Sequence, residues 1–418
     1  MKKYDFLVIG GGAAGFFAAI NCAEHRPGLS VGIFEATPRV LSKVKISGGG
    51  RCNVTHNCFD PRALVRHYPR GGKELLGPFH KFGPEQTIAW FAARGVALKV
   101  EADNRMFPTT DSSQTIIDCL QGAVQKNGIE LRLKALVETV EKIGDIFQVT
   151  LKGGEVIEAK TLMLATGSAT FGWSVVRKLG HKLIEPNPSL FTFEIDHPLL
   201  KGLPGVSFPS VTAELQSTDG NFVQEGPLLI THWGLSGPAV LRLSAFGARV
   251  LAATDYKADL YVNFEGRIKG DEVFAVLMNN KNQEAKKKIS TVNPLQGPRR
   301  FWEALLEFSG FAPDKLWADA NKKELFKLSE LITHFPFRIQ GKGAFKEEFV
   351  TAGGVARSEI DFRSFQSKLI PGLFMAGEVI DVDGITGGFN FQNAWTGGFL
   401  AGTAAAEMVS GARAEPST

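Results

Sequence analysis

The feature that most constrains this chain is a glycine pattern between a short apolar run and a stretch with helical spacing. Residues 4–9 predict a buried parallel strand, and residues 13–25 predict a helix. Gly10, Gly12 and Gly15 form Gly-x-Gly-x-x-Gly at the junction. Gly10 permits the tight turn, Gly12 lets a diphosphate approach the backbone, and Gly15 lets the helix pack against the sheet. We therefore expect a dinucleotide on the N–H groups that open this helix.

An acidic residue strengthens this interpretation. Residues 30–35 predict a second strand that ends at Glu35, twenty residues after Gly15. A carboxylate there binds ribose hydroxyls and repels a 2′-phosphate, which favours FAD or NAD over NADP. Thr166-Gly167 and Gly377-Glu378 end later strands and favour FAD, because its ribityl chain needs contacts from distant segments. The alternatives are a glycine-rich turn of another α/β protein and ordinary strand ends.

The composition excludes several classes of protein. Hydrophobic residues make up 44% and charged residues 22% of the chain, as in ordinary soluble globular proteins. The net charge of +4 requires no polyanionic partner, and no apolar run reaches the ~18 residues that span a bilayer. The four cysteines show no CxxC spacing and no metal-binding pattern. We expect no metal, no membrane association and a cytoplasmic location.

The order of the patterns along the 418 residues predicts a discontinuous domain. Residues 190–262 carry short alternating segments broken by Gly and Pro, which are typical of a β-barrel or sandwich. Residues 270–332 have a helical composition, and residues 369–376 return to a buried strand before a helix over about 392–409. We predict an α/β domain of Rossmann type with the middle of the chain inserted into it.

A long segment from Ala36 to His56 is predicted to be irregular, and it contains three consecutive glycines, Gly48–Gly50. Loops of this length are usually functional, and clustered glycines lose much entropy on folding, so we expect a ligand here. Arg51 could bind the diphosphate, the flavin or an anionic substrate, and Asn53 could both donate and accept at a ring edge. Cys52 is either a redox or nucleophilic residue or a small residue packed beside the ring.

A second glycine-rich segment, from Asp381 to Trp395, runs from a strand into the last helix. N–H groups at that helix start would face the N1–C2=O edge of an isoalloxazine, and the helix dipole would stabilise reduced flavin. The alternative is a plain connection in which Asp381 and Asp383 act as caps.

Several segments together resemble the HI0933-like (aminoacetone-oxidase-like) family of flavoproteins: GGGAAG, SGGGRCN, NRMFP, THWGLSGPA and AGEVIDVDGITGGFNFQNAW. The resemblance spans nearly the whole chain and implies FAD as the cofactor. It implies a Rossmann FAD domain (1–190 and 345–418), an inserted β-barrel (191–265 and 333–344) and a helical subdomain (266–332). In one segment, Ser168–Trp173, the chain departs from the Ser-Tyr-Pro and glycine-rich stretch common in the family, which weakens any transfer of substrate.

The resemblance and the motifs together predict the residues that contact FAD. These are Gly10, Gly12, Ala13, Ala14, Gly15, Glu35, Ala36, Gly49, Gly50, Arg51, Cys52, Asn53, Val137, Thr166, Gly167, Gly377, Glu378, Asp381, Gly387, Gly388, Phe389, Asn390 and Gln392. The catalytic candidates are Arg51, Cys52 and His232. His232-Trp233 and Arg51 could line a pocket between the barrel and the flavin, with His232 as an acid or base or as a packed histidine.

Three functions remain open for a protein of this kind. The first is a reductase that passes a hydride through flavin N5 to an unsaturated substrate, such as a uridine in ribosomal RNA. Only one Gly-x-Gly-x-x-Gly is present, so NAD(P)H would be a transient reductant at the same flavin face. The second is a small-molecule amine or amino-acid oxidase that uses oxygen. The third is a non-catalytic flavin-binding protein.

A basic segment bears on the choice between these functions. Its cations could follow RNA phosphates, although a solvated helix face would have the same composition. The cations are Lys281, Lys286, Lys287, Lys288, Arg299 and Arg300. No Ser-His-Asp or Cys-His arrangement is evident that would indicate a hydrolase.

Overall fold

The computed structural model describes residues 2–217, 220–295, 297–343 and 350–411. The chain forms two compact units, Met1–Pro186 with Val350–Thr418, and Asn187–Phe349. The first unit is thus assembled from both ends of the chain. The finer division into an FAD domain, a barrel and a helical subdomain by residue range stays a prediction.

The strands are numbered in chain order. They are β1 (Lys2–Ile9), β2 (Val31–Phe34), β3 (Thr55–His56), β4 (Leu98–Val100), β5 (Arg105–Pro108), β6 (Glu130–Arg132), β7 (Val137–Ile143), β8 (Ile146–Leu151), β9 (Val156–Leu164), β10 (Leu183–Ser189), β11 (Phe193–Glu194), β12 (Ser207–Gln216), β13 (Phe222–Thr231), β14 (Gly234–Ser236), β15 (Ala258–Asn263), β16 (Phe335–Ile339), β17 (Gly341–Lys342), β18 (Val350–Val355), β19 (Ile360–Asp361), β20 (Gln366–Ser367) and β21 (Leu373–Met375).

The α-helices are numbered in the same way. They are α1 (Ala13–His25), α2 (Ser42–Gly50), α3 (Pro61–Leu64), α4 (Gly72–Lys81), α5 (Pro84–Ala92), α6 (Ser113–Lys126), α7 (Thr170–Lys178), α8 (Pro238–Phe246), α9 (Ala248–Ala253), α10 (Gly270–Gln283), α11 (Arg299–Phe308), α12 (Lys322–Thr333) and α13 (Phe389–Val409). Single 3₁₀ turns cover Val65–His67, Pro198–Leu200, Trp317–Asp319 and Arg357–Glu359.

A parallel sheet in the order β21-β9-β1-β2-β6 positions the site in the first unit. Its register pairs Ile9 with both Phe34 and Leu164, and Leu164 with Met375. The carboxyl ends of β2, β1, β9 and β21 therefore finish level. In open α/β sheets, ligands bind outside this edge, so the register brings the predicted strand-end residues to one place.

The first and last α-helices pack backbone to backbone against one another. A Cβ on Gly402 would lie 2.2 Å from the carbonyl oxygen of Ala18, and one on Gly398 would lie 2.7 Å from that of Ala14. Side chains larger than hydrogen would push the helices apart. Glycine at these two positions thus lets α13 lie directly against α1.

The second unit contains an antiparallel sheet in the order β16-β15-β12-β13-β14-β11-β17, with α10, α11 and α12 in its helical part. The sequence predicted β structure throughout residues 190–262, but α8 and α9 interrupt it. Pro238 opens α8, and Val240 and Leu243 are buried one turn apart. The stretch with this helical spacing is short, and the surrounding Gly and Pro residues made it resemble β structure in the sequence.

The segment predicted to be irregular, 36–56, contains α2. The helix is interrupted by non-helical backbone at Ser47, Gly48 and Gly49. The prediction that this segment is irregular is therefore wrong for residues 42–46, which form regular helix before Ser47.

Among the described ranges, none of the helices combines the length and the apolar surface that a membrane span requires.

Candidate functional site

The three glycines of the first motif have different steric surroundings. Gly10 has φ +115°, and a Cβ there would lie 2.3 Å from the carbonyl oxygen of Ala165. A Cβ on Gly15 would lie 2.1 Å from the carbonyl oxygen of Gly10. A Cβ on Gly12 would meet nothing within 4 Å. The fold therefore requires Gly10 and Gly15, while Gly12 borders open space in front of α1.

That open space lies at a helix start with free donors. Gly12 is the N-cap of α1, no side chain caps it, and the first turn carries no acidic residue. Within the described part of the chain, no acceptor contacts the N–H groups of Gly12, Ala13 and Ala14. Free N–H groups and an uncompensated helix dipole bind phosphate oxygens. The arrangement fits the diphosphate of FAD.

Glu35 is fixed at the end of β2 by two backbone donors. Its carboxylate accepts hydrogen bonds from the N–H groups of Gly11 and Thr37, each at 2.8 Å. A carboxylate has about four acceptor sites, so positions remain for ribose hydroxyls. Ala135 donates its N–H to the Glu35 carbonyl at 2.9 Å, which brings the segment before Val137 to the same turn.

The other strand ends meet α1 at its first turn. A Cβ on Gly377 would lie 3.6 Å from the Cβ of Ala14, and a Cβ on Gly10 would lie 3.0 Å from the Thr166 nitrogen. The Thr166 Oγ1 is buried and has no partner among the described residues. An unsatisfied buried hydroxyl is costly in a folded protein. The hydroxyl lies against Gly172 of α7, where an added Cβ would come within 1.9 Å of it, so it is the Thr166 backbone that borders the start of α1.

A lysine that the sequence analysis missed connects three of these segments. The Nζ of Lys43, on α2, lies 2.7 and 2.8 Å from the carboxylate oxygens of Glu378. It also donates to the Oγ of Ser168 at 3.3 Å. Ser168–Trp173, the segment that departs from the family pattern, therefore begins beside the predicted cofactor residue Glu378.

The glycine loop contacts the start of α13 through Asn53. In the orientation that satisfies both ends of its amide, Asn53 accepts from the Gly388 N–H at 2.9 Å and donates to the Thr55 carbonyl at 3.1 Å. Gly388 has φ +92°, and a Cβ there would lie 2.6 Å from the Thr55 oxygen. Two segments far apart in sequence, predicted to meet the flavin, thus contact each other directly.

Two predicted cofactor residues of α13 use their side chains within the protein. Asn390 makes two hydrogen bonds of 2.8 Å with the backbone of Gly384. Gln392 is fully buried and accepts from Thr55 Oγ1 at 2.6 Å and Thr87 Oγ1 at 3.0 Å. These side chains fix the loop and the helix. The backbone N–H of Gln392 donates to the Gly388 carbonyl at 3.0 Å, so of these two residues it is Asn390 whose backbone N–H is left for a ligand.

The two aspartates before α13 form ion pairs rather than caps. Asp383 and Arg70 form a buried salt bridge with two hydrogen bonds. The Asp381 carboxylate lies 3.3 Å from the Nε of Arg357. The cap interpretation of both residues is wrong. The carboxylate of Asp381, a predicted FAD contact, is engaged by an arginine.

An aromatic cluster beside this turn has no counterpart in the sequence analysis. His67 stacks on Phe389 with ring centroids 4.3 Å apart, and the ring of His56, on β3, lies 4.6 Å from that of Phe389. The Nδ1 of His56 lies 3.0 Å from the Gly387 carbonyl oxygen. Tyr68 donates its hydroxyl to the Phe389 carbonyl at 2.6 Å. These residues come from separate segments, so only the fold reveals the cluster.

The environment of Cys52 argues against a redox or nucleophilic role. Its side chain is completely buried, and burial raises the pKa of the thiol to about 12. The thiolate, which is the reactive form, is therefore scarce at neutral pH. The structure favours the interpretation of Cys52 as a packed residue.

Arg51 is engaged by acidic and aromatic partners. Its guanidinium lies 2.5 Å from the Glu101 carboxylate and 3.6 Å from that of Asp111, and it covers the Phe107 ring at 4.0 Å. The hydrogen bond to Glu101 raises the pKa of Arg51. A diphosphate or anionic substrate would have to replace these carboxylates.

His232, in the second unit, is exposed at the turn between β13 and β14.

A Ser-His-Glu arrangement exists but is structural. The Nε2 of His181 lies 3.0 Å from the Oγ of Ser367, and its Nδ1 lies 2.9 Å from the Glu359 carboxylate. Ser367 and His181 are buried, and the Oγ accepts N–H groups from Leu369 and Ile370. The serine is thereby held in a turn, so this trio joins three segments and does not present a nucleophile.

The basic segment of the second unit is partly neutralised. Lys281 donates to the carbonyls of Ala318 and Ala320, at 2.7 and 2.5 Å. Lys287 and Arg299 form exposed ion pairs with nearby glutamates, which are weak enough to exchange for phosphates. Lys286 and Lys288 are exposed. The segment keeps a smaller positive surface than its composition indicates.

Comparisons with known proteins agree with this architecture. A family model described as the HI0933-like protein Rossmann domain matches residues 4–404. The chain is 29% identical over 408 residues to a ribosomal RNA dihydrouridine synthase of Escherichia coli (strain K12), covering 95% of this chain and 96% of that protein. It is 26% identical over 410 residues to a 3-dehydro-bile acid delta(4,6)-reductase of Clostridium scindens, covering 96% and 98%.

A solved structure shows the same fold. The 3-ketosteroid-delta4-(5alpha)-dehydrogenase of Rhodococcus jostii RHA1 superposes with a TM-score of 0.51 at 15% identity, covering 97% of each chain.

The family match spans nearly the whole chain. It confirms the predicted Rossmann-type FAD-binding domain, the FAD cofactor and the class of FAD-dependent oxidoreductase. The chain therefore belongs to the HI0933-like family.

Proposed function

We propose that this FAD-dependent oxidoreductase is an NAD(P)H-linked reductase of a carbon–carbon double bond, and that its substrate is a uridine base in ribosomal RNA. Dihydrouridine is uridine with its C5–C6 double bond saturated. The observation that carries the proposal is the near full-length similarity to a protein named for making dihydrouridine in ribosomal RNA. The second relative, a delta(4,6)-reductase, is named for the same type of reaction.

The proposed cofactor contacts begin at α1. The N–H groups of Gly12, Ala13 and Ala14 bind the diphosphate, because no protein acceptor uses them within the described residues. Glu35 binds the adenosine ribose hydroxyls. The Thr166 backbone, whose nitrogen lies 3.0 Å from an added Cβ on Gly10, borders the cofactor at this strand end. When bound and reduced by NAD(P)H, FAD would supply a hydride from its N5.

The start of α13 is proposed to bind the ring. No side chain caps this helix and its first turn has no acidic residue, so its N–H groups and dipole favour negative charge on a ligand. The N–H of Gly388 is used by Asn53, which leaves those of Phe389, Asn390 and Phe391 for the ring edge. Asn53 acts by fixing the turn and not as a ring contact.

A small unsaturated ketone is the second candidate substrate. The similarity to the bile-acid delta(4,6)-reductase covers as much of the chain as the similarity to the RNA enzyme does. A conjugated enone requires the same hydride and proton as a uracil ring. The two candidates differ in the contact with phosphates, which only RNA needs.

The experiment measures both the reduction of the flavin and the dihydrouridine formed in ribosomal RNA. Ribosomal RNA from a strain that lacks the gene is incubated with the holoprotein and NADH or NADPH, and nucleosides are measured by mass spectrometry. We expect a dihydrouridine that is absent from the untreated RNA. Stopped-flow bleaching of the flavin by NADH, NADPH and amines identifies the reductant. Bleaching by an amine alone, with unchanged RNA, contradicts the proposal and supports an amine oxidase.

The proposed RNA contact has its own variants. Lys286→Glu with Lys288→Glu should weaken RNA binding and lower the salt dependence by about one unit of slope for each phosphate that the variant no longer binds. Lys323→Glu with Lys327→Glu is the matched control, because it makes the same charge change on exposed lysines of α12. Equal salt slopes in both double variants contradict a phosphate-binding role for the basic segment.

A further inference from the structure

Reduction of a double bond needs a proton as well as a hydride. One carbon receives the hydride, with its electron pair, and the adjacent carbon uses the former π electrons to bind a proton. A positioned side chain that supplies this proton accelerates such reactions by about 10²–10⁴. Two of the candidates from the sequence are poorly suited. Cys52 is buried with a raised pKa, and Arg51 is held by carboxylates.

A histidine stands where the reaction is proposed to occur. His56 lies on β3, directly after the Gly48–Thr55 segment, and its Nδ1 contacts the carbonyl of Gly387 at 3.0 Å. Gly387 immediately precedes Gly388, the N-cap of α13. His56 is therefore fixed to the turn that would meet the ring, on the segment that also contacts this turn through Asn53.

The hydrogen bond to Gly387 determines which nitrogen can transfer a proton. A carbonyl only accepts, so the Nδ1 of His56 carries hydrogen and donates it. The Nε2 has no hydrogen-bond partner among the described residues, and the ring is only half-buried. The geometry leaves Nε2 as the group that gains a proton from water and delivers it.

The surroundings of His56 are mixed in charge. Burial lowers the pKa of His56, while the Gly387 carbonyl and the charge of Asp103 act in the opposite direction and Arg105 adds to the lowering. The His67 ring lies 5.8 Å away, and the rings of His56 and His67 both contact Phe389. A lowered pKa makes the imidazolium a stronger acid but reduces its population at neutral pH, so proton delivery should slow as the pH rises.

We propose that His56 is the general acid of the reaction and delivers the proton from its Nε2 to the substrate carbon adjacent to the one that receives the hydride. This inference rests on the proposed reductase function. The Nε2–H bond breaks, a C–H bond forms with the former π electrons, and the neutral imidazole regains a proton from water. NAD(P)H supplies the two electrons and becomes NAD(P)⁺.

The test separates the proton step from the rest of the cycle. In His56→Asn, the amide nitrogen takes the position of Nδ1 and keeps the bond to Gly387, but the acid is lost. We expect unchanged FAD affinity and unchanged flavin bleaching by NAD(P)H. Reoxidation of the flavin by ribosomal RNA should fall about 10²–10⁴-fold, and its pH dependence should disappear. His80→Asn, at an exposed histidine on α4, is the matched control.

A second variant and a second electron acceptor distinguish a failure of the His56 proposal from a failure of the proposed reductase function. His56→Gln places a non-titrating amide near the Nε2 position and should be as slow as His56→Asn. A conjugated steroid enone serves as the alternative acceptor to RNA. If the wild type reduces either acceptor and both variants do so at its rate and pH profile, His56 is not the acid and the reductase function stands. If the wild type reduces neither acceptor, both proposals are overturned.

Discussion

The starts of α1 and α13 look alike in sequence but are built differently. Both follow a glycine turn, and both lack a capping side chain and an acidic first turn. At α1 the turn is held mostly by backbone, and the Glu35 side chain accepts a hydrogen bond from the Gly11 N–H. At α13 the helix start is held by side chains from distant segments, such as Asn53 and Thr55.

The difference shows how two helix starts with free donors can be fixed by different contacts. The α1 turn is fixed by steric fit, since a single added carbon on Gly10 or Gly15 would overlap backbone. The α13 turn is also sterically fixed at Gly388, but it depends in addition on polar side-chain contacts and on the buried Arg70–Asp383 pair. Steric overlap tolerates no substitution, whereas a polar network can be weakened one bond at a time.

Gly15→Ala should have the largest effect, on the α1 side of the comparison. Its Cβ would lie 2.1 Å from the Gly10 carbonyl oxygen, and backbone cannot move aside without separating α1 from the sheet. We expect the free energy of unfolding to fall by about 4 kcal/mol or more, with loss of FAD. Chemical denaturation and flavin absorbance measure both. A variant with wild-type stability would show that this turn is not sterically fixed.

Arg70→Met should come next and tests the α13 side. It leaves the fully buried Asp383 carboxylate without its arginine, which destabilises proteins by about 3–5 kcal/mol. Denaturant unfolding gives the value. The double variant Arg70→Met with Asp383→Leu should recover part of the loss, because the Asp383 carboxylate is removed together with its arginine. A double variant less stable than the single one would assign the loss to packing and not to the uncompensated charge.

Gly12→Ala separates cofactor binding from folding. Apart from its chain neighbours, no atom of the described residues lies within 4 Å of the added Cβ, and the backbone at Gly12 is extended (φ −93°), so stability should match the wild type. The methyl group occupies the proposed diphosphate position, and we expect the Kd for FAD to rise at least about tenfold, or 1.4 kcal/mol. Calorimetric titration of the apoprotein with FAD measures it. An unchanged affinity for FAD would contradict the proposed binding of the diphosphate at this helix start.

Cys52→Ala should have the smallest effect. Because burial raises the thiol pKa to about 12, iodoacetamide at pH 8 should leave Cys52 unmodified in the native protein, while the less buried Cys58 serves as the internal control for labelling. Turnover of the variant should stay near the wild-type value, with a stability loss of about 1 kcal/mol for the small cavity. Loss of turnover in a variant that folds and binds FAD would restore the redox interpretation.

The sequence predicted elements wherever local pattern and turn chemistry agreed. The strand predicted over 4–9 and the helix predicted over 13–25 are β1 (Lys2–Ile9) and α1 (Ala13–His25), and the helix predicted over about 392–409 lies within α13 (Phe389–Val409). The sequence analysis missed the start of α2, because this helix buries little apolar surface and runs into Gly48–Gly50. Short helices of this kind are stabilised by tertiary contacts more than by their own residues.

By itself, the sequence determined the βαβ unit, its glycine turn and the carboxylate of Glu35, because these depend on steric rules and spacing that act over some thirty residues. Only the tertiary structure decided which side chains are available for chemistry. It engaged Arg51 with Glu101, buried Cys52, and brought His56 to Gly387. These partners are 50 positions apart for Arg51 and Glu101 and 331 positions apart for His56 and Gly387, and no local pattern records such contacts.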